Sequence, residues 1–423
     1  MSLQPDLTPR RRTTALLRGR GLTEGRAALA DLSTRYLQLR PSALPDLSLA
    51  GGAAGAALVH AALHPVFPAA GHLARAERRL TQAVEQLGRG RVDPGLHAGV
   101  AGVGWVIAHL VGPPAEGGED LCAPIDRALA VVLDRAPWTG PFDVINGLAG
   151  IGVYALERAP HPAAGPLVAR VVRRLAETVK PQATGATWWS NPAWLPRSAR
   201  RAHHPDWNLG VAHGVAGVIA FLGRAVAAAV DAPTTATART LLEGAVAWLL
   251  SQELPTGAAG CFPWAVAPGI PRAPARVAWC AGDPGIAAAL HVAARSAGEP
   301  GWAQEATRIG LRAALRGVAD AGVVDVGLCH GAAGNAHVFH RLHRATGDDR
   351  FADAARRWFA RALAMRAPGR GVAGFRAYDP DPRGVLGWRS APGFLTGAAG
   401  VALALVAATT DAEPRWDRAL LLS

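Results

Sequence analysis

The sequence predicts an all-α protein built as an α/α toroid (a double barrel), in which seven outer helices surround seven inner ones. Composition is the first reason: half of the 423 residues are apolar but only 6% are aromatic, and 49 are glycine. Such a chain favours closely packed helices over sheets. The second reason is an internal repeat, because a Gly-x-x-Gly motif opens an apolar run seven times.

The seven glycine motifs, called turns one to seven here, divide the chain into similar units. They are Gly52 to Gly55, Gly99 to Gly102, Gly147 to Gly150, Gly214 to Gly217, Gly282 to Gly285, Gly331 to Gly334 and Gly397 to Gly400. Their first glycines are 47, 48, 67, 68, 49 and 66 residues apart. The extra residues precede turns four, five and seven, and insertions on one face of a repeat protein commonly carry binding elements.

Each turn is followed by a run that is apolar nearly all round, which a helix tolerates only when protein surrounds it. Amphipathic segments lie between these runs and predict the outer helices. They cover approximately 24–39, 70–89, 120–136, 163–180, 234–252, 300–318 and 348–366. A closed ring of inner helices leaves no apolar face bare and brings all turns to one end. We expect glycine there because it allows close backbone packing and conformations closed to other residues.

Residues 24–423 are therefore expected to form a single domain, preceded by a basic, flexible segment over 1–23. The net charge of +12 comes almost wholly from arginine, since Lys180 is the only lysine. The arginines scatter over helices instead of forming a basic stripe, so no nucleic acid partner is expected. Local clusters do occur: Arg10, Arg11 and Arg12, and Arg197, Arg200 and Arg201 beside His203 and His204.

The chain shows none of the usual signs of secretion or of a membrane span. Four cysteines in a chain of this length do not make a disulfide framework. No apolar stretch with a cleavage site follows the N-terminal arginines, and the apolar run 211–230 is broken by Arg224. We expect a cytoplasmic protein, with peripheral membrane association left open.

Two neighbouring turns carry side chains of the kind that bind zinc. Cys329 and His330 directly precede turn six, and Cys280 lies two residues before turn five. If the turns converge, these three residues meet although Cys280 and Cys329 are 49 residues apart. Three protein ligands leave a tetrahedral zinc one open position, as in catalytic sites. The alternative is a purely structural role, in which the two cysteines are core residues and the histidine caps a helix.

The ligand set favours thiol chemistry over water activation. Two thiolates and a neutral imidazole offset the charge of the dication, so a further thiol can bind and lose its proton. A free thiol has a pKa of about 8.5, and a metal holds it as thiolate at neutral pH. Zinc sites with histidine and carboxylate ligands would favour water activation instead.

These residues resemble the lanthionine synthetase C-like family, which includes the class I lantibiotic cyclases. The resemblance runs through all seven turns, and its most specific parts are Trp279-Cys280-x-Gly-x-Pro-Gly and Cys329-His330-Gly331. It implies one zinc ion held by Cys280, Cys329 and His330. It also implies a reaction in which a peptide cysteine adds to dehydroalanine or dehydrobutyrine and forms a thioether ring. The expected partners are the dehydrated precursor peptide and a lanthipeptide dehydratase.

Three further residues match the family's active site: Asp143, His213 and Arg276. The resemblance implies that Asp143 and His213 form an acid/base pair and that Arg276 is an active-site arginine. These roles suit the chemistry, because addition to a dehydroamino acid develops an enolate that needs positive charge and then a proton. The alternatives are that Asp143 is only a turn residue, that His213 is a buried histidine bonded to backbone, and that Arg276 is a solvated charge.

One residue departs from the family pattern, because Ala281 follows Cys280 where many members carry tyrosine. The departure keeps open a second function, a non-catalytic zinc-binding scaffold that presents peptide to a dehydratase. An α/α-barrel glycosidase is a weaker rival, since it needs paired carboxylates and only Asp143 and Asp283 lie near the turns.

The three long segments before turns four, five and seven are the expected peptide groove. They hold aromatic residues and arginines among prolines, which suits an extended peptide with acidic residues. Equally, the aromatic side chains could only pin long loops to the barrel rim. The residues concerned are Trp188, Trp189, Trp194 and Trp207 in 181–209, Phe262, Trp264 and Arg272 in 255–279, and Tyr378, Trp388 and Phe394 in 367–396.

Overall fold

The structure, a computed structural model, describes residues 3, 15–44, 46–88, 93–115, 117–194, 206–381 and 383–423. The predicted all-α class is confirmed, because these residues form helices with only three short strand pairs. Most of the expected flexible segment 1–23 and the clusters at Arg10–Arg12 and at Arg197–His204 lie outside the described residues.

Seven helices follow the seven glycine turns directly and are almost entirely buried. These inner helices are α2 (Ala53–Leu63), α4 (Val100–Val111), α6 (Leu148–Glu157), α8 (Val215–Ala228), α10 (Asp283–Ala297), α12 (Ala332–Thr346) and α14 (Ala398–Thr409). In α14 every residue is buried. An apolar run with no polar face therefore became a helix enclosed by protein.

The other seven described helices are amphipathic and alternate with the inner ones. They are α1 (Gly19–Gln38), α3 (His72–Leu87), α5 (Ala123–Asp134), α7 (Ala164–Thr178), α9 (Ala232–Ser251), α11 (Pro300–Leu315) and α13 (Asp349–Ala364). Their bounds agree with the predicted outer helices to within a few residues, and α1 begins five residues before the expected start at 24.

The helices fall into two compact units, each with its own inner and outer layers. The first unit comprises 1–93, 98–120 and 322–417, and in it α12, α14, α2 and α4 pack side by side with α13, α1 and α3 outside. The second comprises 94–97, 121–321 and 418–423, and in it α6, α8 and α10 pack side by side with α7, α9 and α11 outside.

The long segments before turns four, five and seven contain the strands of the described residues, which the sequence did not predict. In the first unit β5 (Ala377–Pro380) pairs with β6 (Leu386–Arg389). In the second, β1 (Lys180–Gln182) pairs with β2 (Gly185–Thr187), and β3 (Trp207–Asn208) pairs with β4 (Ala265–Val266). All three pairs are antiparallel.

Backbone hydrogen bonds tie neighbouring turns together through the residue two positions before each first glycine. In the first unit the N–H of Cys329 donates to the Leu395 carbonyl at 2.8 Å, and the N–H of Leu395 donates to Ala50 at 3.1 Å. In the second unit the N–H of Ala212 donates to the Cys280 carbonyl at 3.1 Å. Equivalent positions of successive turns are therefore held side by side within each unit.

The glycines of the turns are required by lack of space. A Cβ on the second glycine of turns one and three to seven would overlap the carbonyl oxygen three residues before the first glycine. The first glycines have extended backbones with negative φ, for example −134° at Gly282 and −98° at Gly331. The close packing expected of these glycines is confirmed, whereas the expectation of a special backbone conformation at them is wrong.

A Gly285→Ala substitution should therefore lower the free energy of unfolding by about 3 kcal/mol, the upper part of the range for overpacking. Its Cβ would overlap the carbonyl group and Cα of Trp279, which are backbone atoms and cannot turn away. Gly301→Ala is the matched control, because nothing lies near that Cβ in helix α11. We expect Gly301→Ala to raise the free energy of unfolding by about 0.5–1 kcal/mol. Urea unfolding measures both, and equal midpoints would contradict the steric explanation.

Candidate metal centre

Cys280, Cys329 and His330 form a group that could hold a metal ion. Each offers one ligand atom, and the three atoms lie within 4.8 Å of one another. Both cysteines are in the thiol form and partly buried, and the His330 side chain is 20% exposed. The structure therefore brings together all three residues that the sequence predicted as ligands.

The donor set and its spacing fit zinc. Ligand atoms of a tetrahedral zinc site with bonds of about 2.0–2.3 Å lie about 3.5–4 Å apart, which is compatible with the observed limit of 4.8 Å. Two sulfurs and one imidazole nitrogen are soft or borderline donors of the kind that zinc prefers. Among the described residues the group consists of these three side chains, and three protein ligands are typical of zinc sites that keep one position open.

The two cysteines occupy equivalent positions of the repeat, and this explains how residues so distant in sequence meet. Each lies two residues before the first glycine of its turn, at the position that takes part in the backbone hydrogen bonds between turns. The carbonyl of Cys280 accepts from Ala212, and the N–H of Cys329 donates to Leu395. Backbone hydrogen bonds to neighbouring turns thus hold the main chain of both cysteines.

Asp143 and His213 form a hydrogen-bonded pair in the second unit, as the resemblance implied. His213 Nδ1 lies 2.7 Å from Asp143 Oδ2, while Asp143 Oδ1 accepts from the N–H of Asn146 at 2.8 Å. The Asp143 side chain is 10% exposed and that of His213 is 49% exposed. The carboxylate therefore holds the imidazole through Nδ1, and about half of the His213 side chain stays exposed.

The pair lies next to the turn that carries Cys280. The N–H of Val144 donates to the Ala212 carbonyl at 3.2 Å, and Ala212 in turn bonds to Cys280. Burial lowers the pKa of His213, but the carboxylate of Asp143 and the hydrogen bond to it raise it, as do Cys280 and Asp206. The net result is a pKa above the ordinary value of 6.5, so the protonated ring is favoured more than in a free imidazole.

Arg276 lies in the same turn as Cys280, six residues before Gly282, and its side chain is exposed. Its guanidinium makes no hydrogen bond or ion pair with the residues that the structure describes. The structure thus places Arg276 in the turn of a candidate ligand, without a contact to the Asp143–His213 pair. Ala281, which follows Cys280, is partly exposed.

Sequence reasoning missed Asp325, a buried carboxylate in the first unit whose Oδ2 lies 3.9 Å from Nε2 of His330. Burial raises the pKa of Asp325, while the N–H of Tyr378, the His330 ring and the N–H of Gly327 lower it. The net pKa is above the ordinary value. The sequence does contain a pattern that points to this residue. Asp46 and Asn208 also lie six residues before the first glycine of their turns.

The long segments contain both buried and exposed aromatic residues. Trp188, Phe262 and Phe394 are at most 1% exposed, and the Trp188 indole donates to the Leu175 carbonyl, so these three anchor their loops. Trp264 and Trp388 are 37% and 47% exposed. The other four aromatic residues expected in the groove are of intermediate exposure: Trp189, Trp194, Trp207 and Tyr378.

Comparison with known proteins agrees with the architecture. The described part of the chain contains no helix of the length and apolarity that a membrane span requires. Comparison with curated protein sequences gave no match. Among solved structures, nisin cyclase matches with a TM-score of 0.72 and 19% sequence identity, over 95% of this chain and 97% of that chain.

The likeness to nisin cyclase confirms the predicted α/α-toroid fold class. The family model described as lanthionine synthetase C-like protein matches residues 45–421, which include all seven turns and every candidate site residue. The repeat of glycine turns and the Cys280, Cys329 and His330 group lie within that match. The chain therefore belongs to the lanthionine synthetase C-like family.

Proposed function

We propose that the protein is a zinc-dependent cyclase of lanthipeptides. It joins cysteine side chains to dehydroalanine or dehydrobutyrine in a dehydrated precursor peptide and so forms lanthionine or methyllanthionine rings. The observation that carries the proposal is the group of two thiols and one imidazole in a protein that also holds the Asp143–His213 pair. Family membership and the likeness to nisin cyclase support it.

Cys280, Cys329 and His330 are the residues that would hold the zinc ion. The bound ion would supply an open position at which the substrate cysteine is kept as a thiolate. Both cysteines are partly buried, and Nε2 of His330 lies 3.9 Å from Oδ2 of Asp325. Zinc centres with only histidine and carboxylate ligands, as in the metalloproteases, activate water instead.

His213 is proposed as the acid that completes the addition. The new bond joins the cysteine sulfur to the β-carbon of the dehydroamino acid, and the electrons of the double bond move toward the α-carbon and its carbonyl. His213 Nε2 then donates a proton to the α-carbon, and the proton lost by the substrate thiol restores the imidazolium. No oxidant or reductant takes part, so the product has the same mass as the substrate.

Asp143 and Arg276 are proposed to support this step in different ways. Asp143 fixes the tautomer and orientation of His213 through the 2.7 Å hydrogen bond and stabilises the protonated ring. Arg276 carries an exposed positive charge in the turn of Cys280, where it can offset the charge of the enolate. Neither residue needs to exchange a proton with the substrate.

The long segments are proposed as the surface that binds the peptide. In the first unit, the Arg376 guanidinium lies 4.7 Å from the centre of the Trp388 ring, and Tyr378 packs against the same ring. A cation held on an exposed aromatic ring suits an extended peptide with acidic side chains. A dehydratase partner and a cytoplasmic location belong to the same proposal.

The test is incubation of the zinc-loaded protein with a dehydrated, cysteine-containing precursor, followed by a thiol-alkylating reagent and mass spectrometry. Cyclised cysteines do not react, so the expected product carries fewer alkyl groups than the control without protein. Cysteines that stay fully alkylatable would contradict the cyclase function for that substrate.

The same assay separates the cyclase from the scaffold. A scaffold would bind zinc and the peptide but leave every cysteine open to alkylation, and Ala281 is the feature that favours it. Peptide binding, measured by fluorescence anisotropy of a labelled precursor, then distinguishes a scaffold from a protein that does not recognise that peptide.

A further inference from the structure

Asp325 is a buried carboxylate whose two oxygens have different partners. Its side chain is 1% exposed. Oδ1 accepts from the N–H of Gly327 at 3.2 Å, and Oδ2 accepts from the N–H of Tyr378 at 3.0 Å. The buried negative charge is therefore held in a fixed position from two sides, by its own turn and by the first residues of strand β5.

The bond to Gly327 has counterparts in turns one and four. Asp46 and Asn208 also lie six residues before the first glycine of their turns, and each accepts from the N–H two residues further on. Those distances are 2.8 Å at Asp46 and 2.9 Å at Asn208. A short polar side chain at this position thus shapes the turn whether or not it carries a charge.

The second oxygen of Asp325, Oδ2, takes no part in the hydrogen bond within the turn. Oδ2 lies 3.9 Å from Nε2 of His330, a candidate ligand in the same turn. Nε2 is thus the ring nitrogen within ion-pair distance of the carboxylate, although 3.9 Å is longer than a hydrogen bond. In many metal sites a ligating histidine gives its other N–H to a carboxylate, and a small shortening of this contact would complete that pattern with Nδ1 toward the metal.

We propose that Asp325 is a positioning residue that holds His330 in the orientation and tautomer needed to bind zinc through Nδ1. The inference rests on the proposed zinc site. A carboxylate opposite Nε2 keeps the proton on that nitrogen, frees Nδ1 as a donor and makes the imidazole a stronger ligand. Since Tyr378 holds the same oxygen, strand β5 helps to fix the position of the carboxylate.

The test compares Asp325→Asn with Asp46→Asn, its matched control in turn one. Asparagine retains an acceptor for the turn, as Asn208 shows in turn four, but removes the charge. Competition with a chromogenic chelator should show a 10- to 100-fold weaker zinc affinity for Asp325→Asn, the range for loss of such partners. The Asp46→Asn protein should bind zinc as the wild type does. Equal affinities of the two variants would overturn the proposal.

Cobalt substitution supplies a readout that a purely structural role of Asp325 would not change. With Co²⁺ in the site, the d–d bands of Asp325→Asn should shift because the imidazole is no longer held, while those of Asp46→Asn stay unchanged. If Asp325→Asn does not fold, Asp325→Ser keeps a short acceptor for Gly327 and should show the same loss of affinity. Wild-type affinity and spectrum in the serine variant would overturn the proposal equally.

The outcomes for this inference and for the cyclase function are distinct. A wild-type protein that closes rings, together with an Asp325→Asn variant that binds zinc equally well, removes only the role of Asp325. A wild-type protein that binds zinc, loses affinity on Asp325→Asn and closes no rings removes only the cyclase function.

Discussion

Replacing Cys329 with alanine should remove both the metal and the ring-forming activity. The free energy of zinc binding to a structural site with four ligands is about 10–16 kcal/mol, which is roughly 3–4 kcal/mol per ligand. Loss of one ligand should therefore lower the zinc affinity on the order of 10²- to 10³-fold. The fold should persist, because alanine fits the space of a partly buried cysteine and the backbone N–H still bonds to Leu395. Metal analysis after gel filtration and the alkylation assay measure the two losses.

Cys261→Ala is the matched control for the loss of a thiol. Cys261 is free and buried but does not belong to the group formed by Cys280, Cys329 and His330. The control should retain zinc and protect the precursor cysteines as the wild type does. Retention of zinc and activity by Cys329→Ala would show that the three-ligand site is wrong. Loss of zinc with full activity would show that ring formation does not use the metal.

His213→Gln should lower the turnover number by about 10² to 10⁴, the usual contribution of a general acid. Glutamine cannot donate a proton to carbon at neutral pH, although it can still bond to Asp143. Zinc content and precursor affinity should stay at wild-type values, because His213 is not a ligand and acts only after the peptide has bound. Progress curves of alkylation protection at saturating precursor give the turnover number.

His64→Gln is the control for replacing a histidine. His64 is partly exposed and caps the end of helix α2 that lies away from its glycine turn, so the variant should be fully active. An Asp143→Asn variant should fall between the wild type and His213→Gln, since it keeps the acid but weakens its orientation. Wild-type turnover in His213→Gln would exclude His213 as the acid and leave Arg276 or solvent as the source of the proton.

The order of helices could be predicted from the sequence because it depends on local patterns. A run that is apolar on every side requires enclosure, and an amphipathic run requires one covered face. The seven repeats of the glycine motif then fixed the alternation. The same repeat predicted that Cys280, Cys329 and His330 come together, because the two cysteines stand at equivalent positions of neighbouring turns and His330 follows Cys329.

What the sequence did not predict depends on contacts between distant segments. The strands β3 and β4 pair across 56 residues of sequence, and neither has enough residues to show an alternating pattern. Asp325 resembles an ordinary turn residue until Tyr378 and His330 are seen beside it. The glycines were expected to serve unusual backbone angles, whereas the carbonyl groups that exclude a Cβ become visible only in the folded chain.

The backbone hydrogen bonds between turns have a consequence for how such a protein can change its chemistry. Cys280 and Cys329 each lie two residues before the first glycine of their turn. The same position in the other turns is held by Ala50, His97, Ile145, Ala212 and Leu395. The main chain at this position takes part in the hydrogen bonds whichever side chain is present. A substitution there changes the side chain while the backbone groups that form these hydrogen bonds remain. The side chain at this position can thus differ from turn to turn while the backbone contacts that support the fold stay the same.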